Sequence, residues 1–144
     1  MAGQTELGIM LVAAQRAAFA ARLGAMTPQE QRDLVDAARR ETGWPPGAWL
    51  REHARVHGHG RSPEQYAAWA QNIKNRSGTQ VYAMIHASRP NEGLAFINPA
   101  ERSLVWFQLS EHRNFSCFYL DETVDAFVAQ KGDLYWRLGD TELP

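Results

Sequence analysis

Residues 51–61 read Arg-Glu-His-Ala-Arg-Val-His-Gly-His-Gly-Arg, three imidazoles among three guanidiniums. If the run is helical as far as His57, then His53 and His57 stand one turn apart on one face. An imidazole titrates near neutral pH, so such a pair can accept and return a proton. Neighbouring arginines could hold a phosphate during that transfer. The same spacing suits two metal ligands. The residues between the histidines are Ala-Arg-Val, with no glutamate to act as base, and the guanidiniums would repel a dication. Neither a metal nor another cofactor is therefore expected. His57 also has a plainer reading, as a cationic side chain that complements a helix C-terminus ended by Gly58.

Other residues carry weaker signals. Strand alternation over Asn114-Phe115-Ser116-Cys117-Phe118-Tyr119 puts Ser116 and Phe118 on one face and Cys117 on the other. No Gly-x-Ser-x-Gly elbow surrounds a serine, which excludes the usual serine hydrolase. Cys117 is the single cysteine, so an internal disulfide and a thiolate metal cluster are both excluded. It reads as a small buried hydrophobe. Arg55, Lys74, Arg89 and Tyr82 are candidates to meet a substrate, and each has a bland alternative as solvated charge or cross-strand packing. Gly58-His59-Gly60 lacks the spacing of any nucleotide-binding loop.

Charge is uneven along the chain. Residues 39–102 hold nine Lys or Arg against five acids, whereas 1–38 hold three against four and 103–144 three against seven. The locally basic middle reads either as a solvated surface or as a seat for a polyanion. With 144 residues, 44% hydrophobic and 22% charged, the chain has the composition of one soluble domain. The apolar run over 8–21 is interrupted by Gln15 and Arg16 and lacks a basic segment in front, so neither a membrane span nor a signal peptide is expected. A cytoplasmic setting, or delivery into the cytoplasm of a target cell, fits best.

The elements that must position these side chains follow from periodicity. Helical spacing covers 6–24. Thr27-Pro28-Gln29-Glu30 and Ser62-Pro63-Glu64-Gln65 each supply a capping residue, a proline at the first helical position and an acid or amide three residues after the cap. They open helices over 28–42 and 63–76, the first with Gly43 as its left-handed exit. Trp44-Pro45-Pro46-Gly47 is a stiff connection and the best internal boundary, and a further helix spans 48–56. After Gly78 the period changes to two. Runs at 80–86, 93–98, 104–109 and 115–120, joined by short polar turns, predict an antiparallel meander. A short helix over 121–130 and a last strand over 133–138 follow. The expected class is α+β, with N-terminal helices and then a four- to five-stranded antiparallel sheet. Residues 1–47 form a helical lead or support region and 48–144 the main unit, with Trp69, Ile73, Tyr82, Phe96 and Val105 in the core.

From residue 51 onward certain pieces recur in a telling order. His53-Ala54 leads toward a glycine. A helix with Tyr66 and Trp69, a strand and a glycine-containing hairpin come next. Phe96-Ile97-Asn98-Pro99, Leu104-Val105-Trp106-Phe107 and Phe115-Ser116-Cys117-Phe118 complete the series. This order resembles the colicin D-type ribonuclease toxin domains, within the wider barnase–EndoU–colicin–RelE group, over about residues 48–138. The resemblance implies that RNA lies across the sheet, that His53 is the catalytic histidine and that Ser116 faces substrate, with Asn98-Pro99 matching the family's Asn-Pro. The family has a lysine three residues before its histidine, where this chain has Leu50. A cation must then come from Arg51, Arg55, Lys74 or Arg89.

The function so implied is a metal-independent endoribonuclease toxin acting on RNA, transfer RNA included. His53 and His57 would handle protons, and Ser116 would donate to phosphate. A cognate immunity or antitoxin protein would be its partner. The alternatives are a nucleic-acid- or protein-binding module without activity, and a metal-dependent nuclease using the histidine cluster.

Overall fold

The computed structural model describes residues 2–88, 91–139 and 141–143. Its elements run α1 (Ala2–Gly24), α2 (Pro28–Arg40), α3 (Trp49–His57), α4 (Pro63–Asn75), β1 (Gln80–Ile85), β2 (Glu92–Asn98), β3 (Ser103–Gln108), β4 (Arg113–Tyr119), α5 (Val124–Lys131) and β5 (Tyr135–Arg137). The strands form one antiparallel sheet in the order β4-β3-β2-β1-β5. The class is α+β, helices first and sheet second.

The two capping motifs form as their residues dictate. Thr27 and Ser62 each accept from the backbone N–H three residues on, and Glu30 and Gln65 each accept from the cap's own N–H. The exit of α2 differs from expectation. The chain leaves at Glu41 in an extended conformation (φ −68°, ψ 130°), and Gly43 is not the left-handed residue. No such residue is needed, because the Lys74 ammonium donates to the carbonyls of Ala38 at 2.8 Å and Glu41 at 2.7 Å. Those are the oxygens that a helix end leaves unpaired.

Alternation gives the sheet two apolar faces. Val81, Ala83, Ile85, Phe96, Val105, Phe107 and Cys117 face α1, α2 and α4, where Phe19, Leu23, Val35, Ala38, Tyr66, Trp69 and Ile73 meet them. Residues of the N-terminal region thus share one core with the sheet, and Trp69, Ile73, Tyr82, Phe96 and Val105 are all buried. Tyr82, Met84, Ala95, Ile97, Leu104 and Trp106 face the other way, toward Val124 and Phe127 of α5. By length and composition Glu6–Gly24 is apolar enough to cross a membrane. Its second half, however, buries Phe19 and Leu23 in this core, while Leu7, Ile9, Met10 and Leu11 stand exposed.

β4 is an edge strand, and edges present unpaired backbone groups. The Tyr66 hydroxyl takes both groups of Cys117 on that side, accepting from its N–H at 2.7 Å and donating to its carbonyl at 2.6 Å. Burial pushes the Cys117 thiol up, so it stays protonated inside the core.

Candidate functional site at the open end of the sheet

A β-bulge in β4 sets the geometry. Trp106 pairs with Ser116 and Phe107 with Asn114, which leaves Phe115 as the extra residue. Strict alternation from Ser116 would put Asn114 beside it. The extra residue reverses that: Asn114 lies on the helix side, bonded to the Glu41 carbonyl and Gln71 Oε1, each at 3.2 Å. Phe115 turns with Ser116 toward the α5 side.

The bulge also anchors α3. The indole N–H of Trp49 donates to the Phe115 carbonyl at 2.8 Å, and the two rings meet at 4.6 Å. One turn further along α3, the His53 imidazole stacks on Trp49 with centroids 4.3 Å apart and planes 23° apart. Its Nδ1 lies 3.1 Å from the Trp49 carbonyl. A carbonyl only accepts, so Nδ1 carries the proton and neutral His53 presents Nε2 as its lone-pair nitrogen. Burial lowers the His53 pKa, against smaller upward pulls from the Trp49 carbonyl and Glu52. Burial also lowers that of His57, helped by the charges of His53 and His59. Both changes favour the neutral form, which a proton acceptor must have.

His53 and Ser116 line one cleft of about 320 Å³. Its other walls are Met84, His86, Leu104, Trp106, Phe115, Phe118, Phe127, Lys131 and Tyr135. His57 stands just outside, with its ring 5.7 Å from both His53 and Phe118. A larger groove of about 670 Å³ runs beside α1, but among the described residues no imidazole, hydroxyl or thiol lines it.

Neither Lys74 nor Arg55, the described cations among the substrate candidates assigned from sequence, meets this cleft. Lys74 is a correction: its side chain is wholly buried on the helix side of the sheet, where it caps α2. Arg55 is exposed and paired with Glu52 at 2.9 Å, and it does not line the cleft. Tyr82 shares the α5 face but bonds Gln80 Oε1 at 2.9 Å and is not a wall residue. Arg89 lies outside the described residues. The basic middle of the chain is in large part engaged by the protein's own groups. Of its nine cations, Arg39, Arg55, Arg61, Lys74 and Arg76 are engaged by Asp36, Glu52, Trp69, backbone carbonyls and Glu101 respectively. Among the described residues, no three His, Cys, Asp or Glu side chains stand together as a metal site.

Four cleft or support residues escaped sequence reasoning. Trp49 lies four residues before His53, the one signal that could have found it. Phe115 owes its place to the bulge. Lys131, in the last turn of α5, brings the cleft its cation. His86 follows β1 and stacks on Trp106 at 4.7 Å and 21°. These last two meet the site only through long-range pairing. Comparison with protein-family models, curated proteins and solved structures finds no match for this chain.

Proposed function

We propose that this chain is a metal-independent endoribonuclease of the toxin type, built on a barnase/colicin/RelE-like sheet. One observation carries the reading. His53 and Ser116 are separated by 62 intervening residues and sit on different elements, yet they line the same cleft. RNA brings its own nucleophile, the 2′-hydroxyl. The protein need only take that proton, steady the charge on phosphorus and let the 5′-oxygen leave. His53 Nε2 is the proton acceptor, its tautomer set by the Trp49 carbonyl. Ser116 donates to a phosphate oxygen, and Lys131 supplies the positive charge that Leu50 cannot. General base catalysis contributes about 10²- to 10⁴-fold, and a preorganised charge clamp adds to it. His57, one turn further along α3, stands just outside the cleft. Transfer RNA is the first substrate to try, and an immunity or antitoxin protein that shields the cleft is the matching partner.

The second reading is a binding module without activity. It draws on the cleft wall, which is mostly ring and aliphatic, from Met84 and Leu104 to Phe127 and Tyr135. One experiment separates the two. The purified chain and His53→Ala are incubated with total RNA and with transfer RNA, with and without EDTA. The enzyme reading expects products ending in 2′,3′-cyclic phosphate, insensitive to EDTA and absent from His53→Ala. RNA retained without cleavage selects the module, and cleavage lost in EDTA and restored by Zn²⁺ or Mn²⁺ selects a metal-dependent nuclease.

A further inference from the structure

A single imidazole leaves the proposed reaction half served, because a proton must also reach the departing oxygen. We propose that His86 is that donor, an inference that rests on the ribonuclease reading of the cleft.

The two imidazoles reach the cleft from different elements. His53 enters from α3, beside the edge strand β4, and His86 from the end of β1, with β3 and β2 lying between. Both line the same cleft. An in-line displacement at phosphorus has the attacking and leaving oxygens on opposite sides of the phosphorus. A base and an acid arriving from opposite directions match that requirement. His57 does not, since it shares a helix with His53 and stands outside the cleft. Lys131 is within the cleft, but an ammonium is ordinarily too weak an acid near neutrality, and it suits the fixed charge better.

The fold also holds His86 in place by a specific device. Its ring lies nearly parallel to the Trp106 indole, 4.7 Å away. Trp106 belongs to β3, so its side chain must cross β2 to reach that stack. It crosses at Gly93, where an added Cβ would stand 2.5 Å from the indole nitrogen. Trp106 then meets Phe115 at 4.2 Å, and Phe115 holds Trp49, on which His53 stacks. An unbroken series of rings thus joins the two imidazoles. Ser88 Oγ, 3.0 Å from His86 Nδ1, fixes the ring's other edge.

The step balances. His53 Nε2 takes the 2′-hydroxyl proton as the 2′-oxygen bonds to phosphorus. The P–O5′ bond breaks, and its electron pair stays on the 5′-oxygen, which takes the proton from the His86 imidazolium. The products are a 2′,3′-cyclic phosphate and a 5′-hydroxyl. His53 ends protonated and His86 neutral, and exchange with water resets both.

The test uses an RNA oligonucleotide whose cleavage position has been mapped with the full chain. It is compared with the same oligonucleotide carrying sulfur in place of the bridging 5′-oxygen, because a thiolate leaves without protonation. His86→Ala and His86→Asn should slow cleavage of the oxygen substrate by about 10²-fold or more, and slow the sulfur substrate by less than about tenfold. His53→Ala should slow both alike. Equal loss on both substrates in the His86 variants, or no loss on either, overturns the assignment while leaving the ribonuclease reading intact. A wild-type chain that cleaves neither substrate removes that reading and this inference together. Asparagine keeps a polar group beside Ser88, so a folding defect confined to the alanine variant does not decide the outcome.

Discussion

Trp106 crosses β2 over Gly93 so closely that a Cβ at residue 93 would stand 2.5 Å from the indole nitrogen and 2.7 Å from the Phe107 carbonyl. Neither neighbour is the loose end of a flexible chain. Gly93→Ala is therefore expected to destabilise the fold by about 1–3 kcal/mol, the usual cost of overpacking, and to push Trp106 away from His86. Part of that cost should vanish when Trp106 is leucine. Denaturant melts of the two single variants and the double variant measure the coupling. Strict additivity would show that the indole is not what Gly93 makes room for.

Much of the fold could be read from local chemistry, whereas the site could be read only in part. Thr27 and Ser62 announce α2 and α4 because a cap is specified within four residues. The alternation after Gly78 announces the strands for a similar reason. The exit of α2 was misread at Gly43 because its real cap, Lys74, lies more than thirty residues away in sequence and acts only across the packed helices. The same non-locality turned Lys74 from a substrate candidate into a buried structural group. His53 and Ser116 stood out as residue types in a familiar order. Phe115 did not, since a bulge is invisible to strict alternation, and Lys131 comes to the cleft from a helix that follows the meander.

The titration of His53 gives a second expectation. Burial holds its pKa below the ordinary 6.5, so the neutral base predominates at pH 7. The rising limb of kcat/KM on RNA should therefore have its midpoint below 6.5, since that parameter reports the free enzyme, and loss of the His86 proton should turn the profile down at higher pH. His53→Ala should remove this limb along with about 10²- to 10⁴-fold of the rate. A midpoint above 6.5 that survives in His53→Ala would assign the base to another group.

Lys74 gives the last expectation, and it concerns stability. Burial brings its pKa down to about 7, with Glu41 pulling weakly the other way. In the unfolded chain the group returns to its ordinary value near 10.5. Between those two values the unfolded state binds a proton that the folded state does not, so the unfolding free energy rises with pH across this window. Below pH 7 both states are protonated, and the folded protein carries the full cost of a buried ammonium. Whether charged or neutral, the nitrogen can donate to Ala38 and Glu41. Lys74→Met keeps most of the volume and removes both the titration and the two bonds. The Glu41 carbonyl keeps Asn114 Nδ2 at 3.2 Å, but the Ala38 carbonyl loses its side-chain donor at a buried helix end, which costs about 1–3 kcal/mol, so the variant should be less stable than wild type at pH 9. It should also lose the part of the slope between about pH 7 and 10 that belongs to this group, which narrows the gap toward pH 6. Urea melts at pH 6, 7.5 and 9 on both proteins provide the measurement. A constant difference between the two at all three pH values would show that Lys74 keeps its charge in the folded state throughout this range.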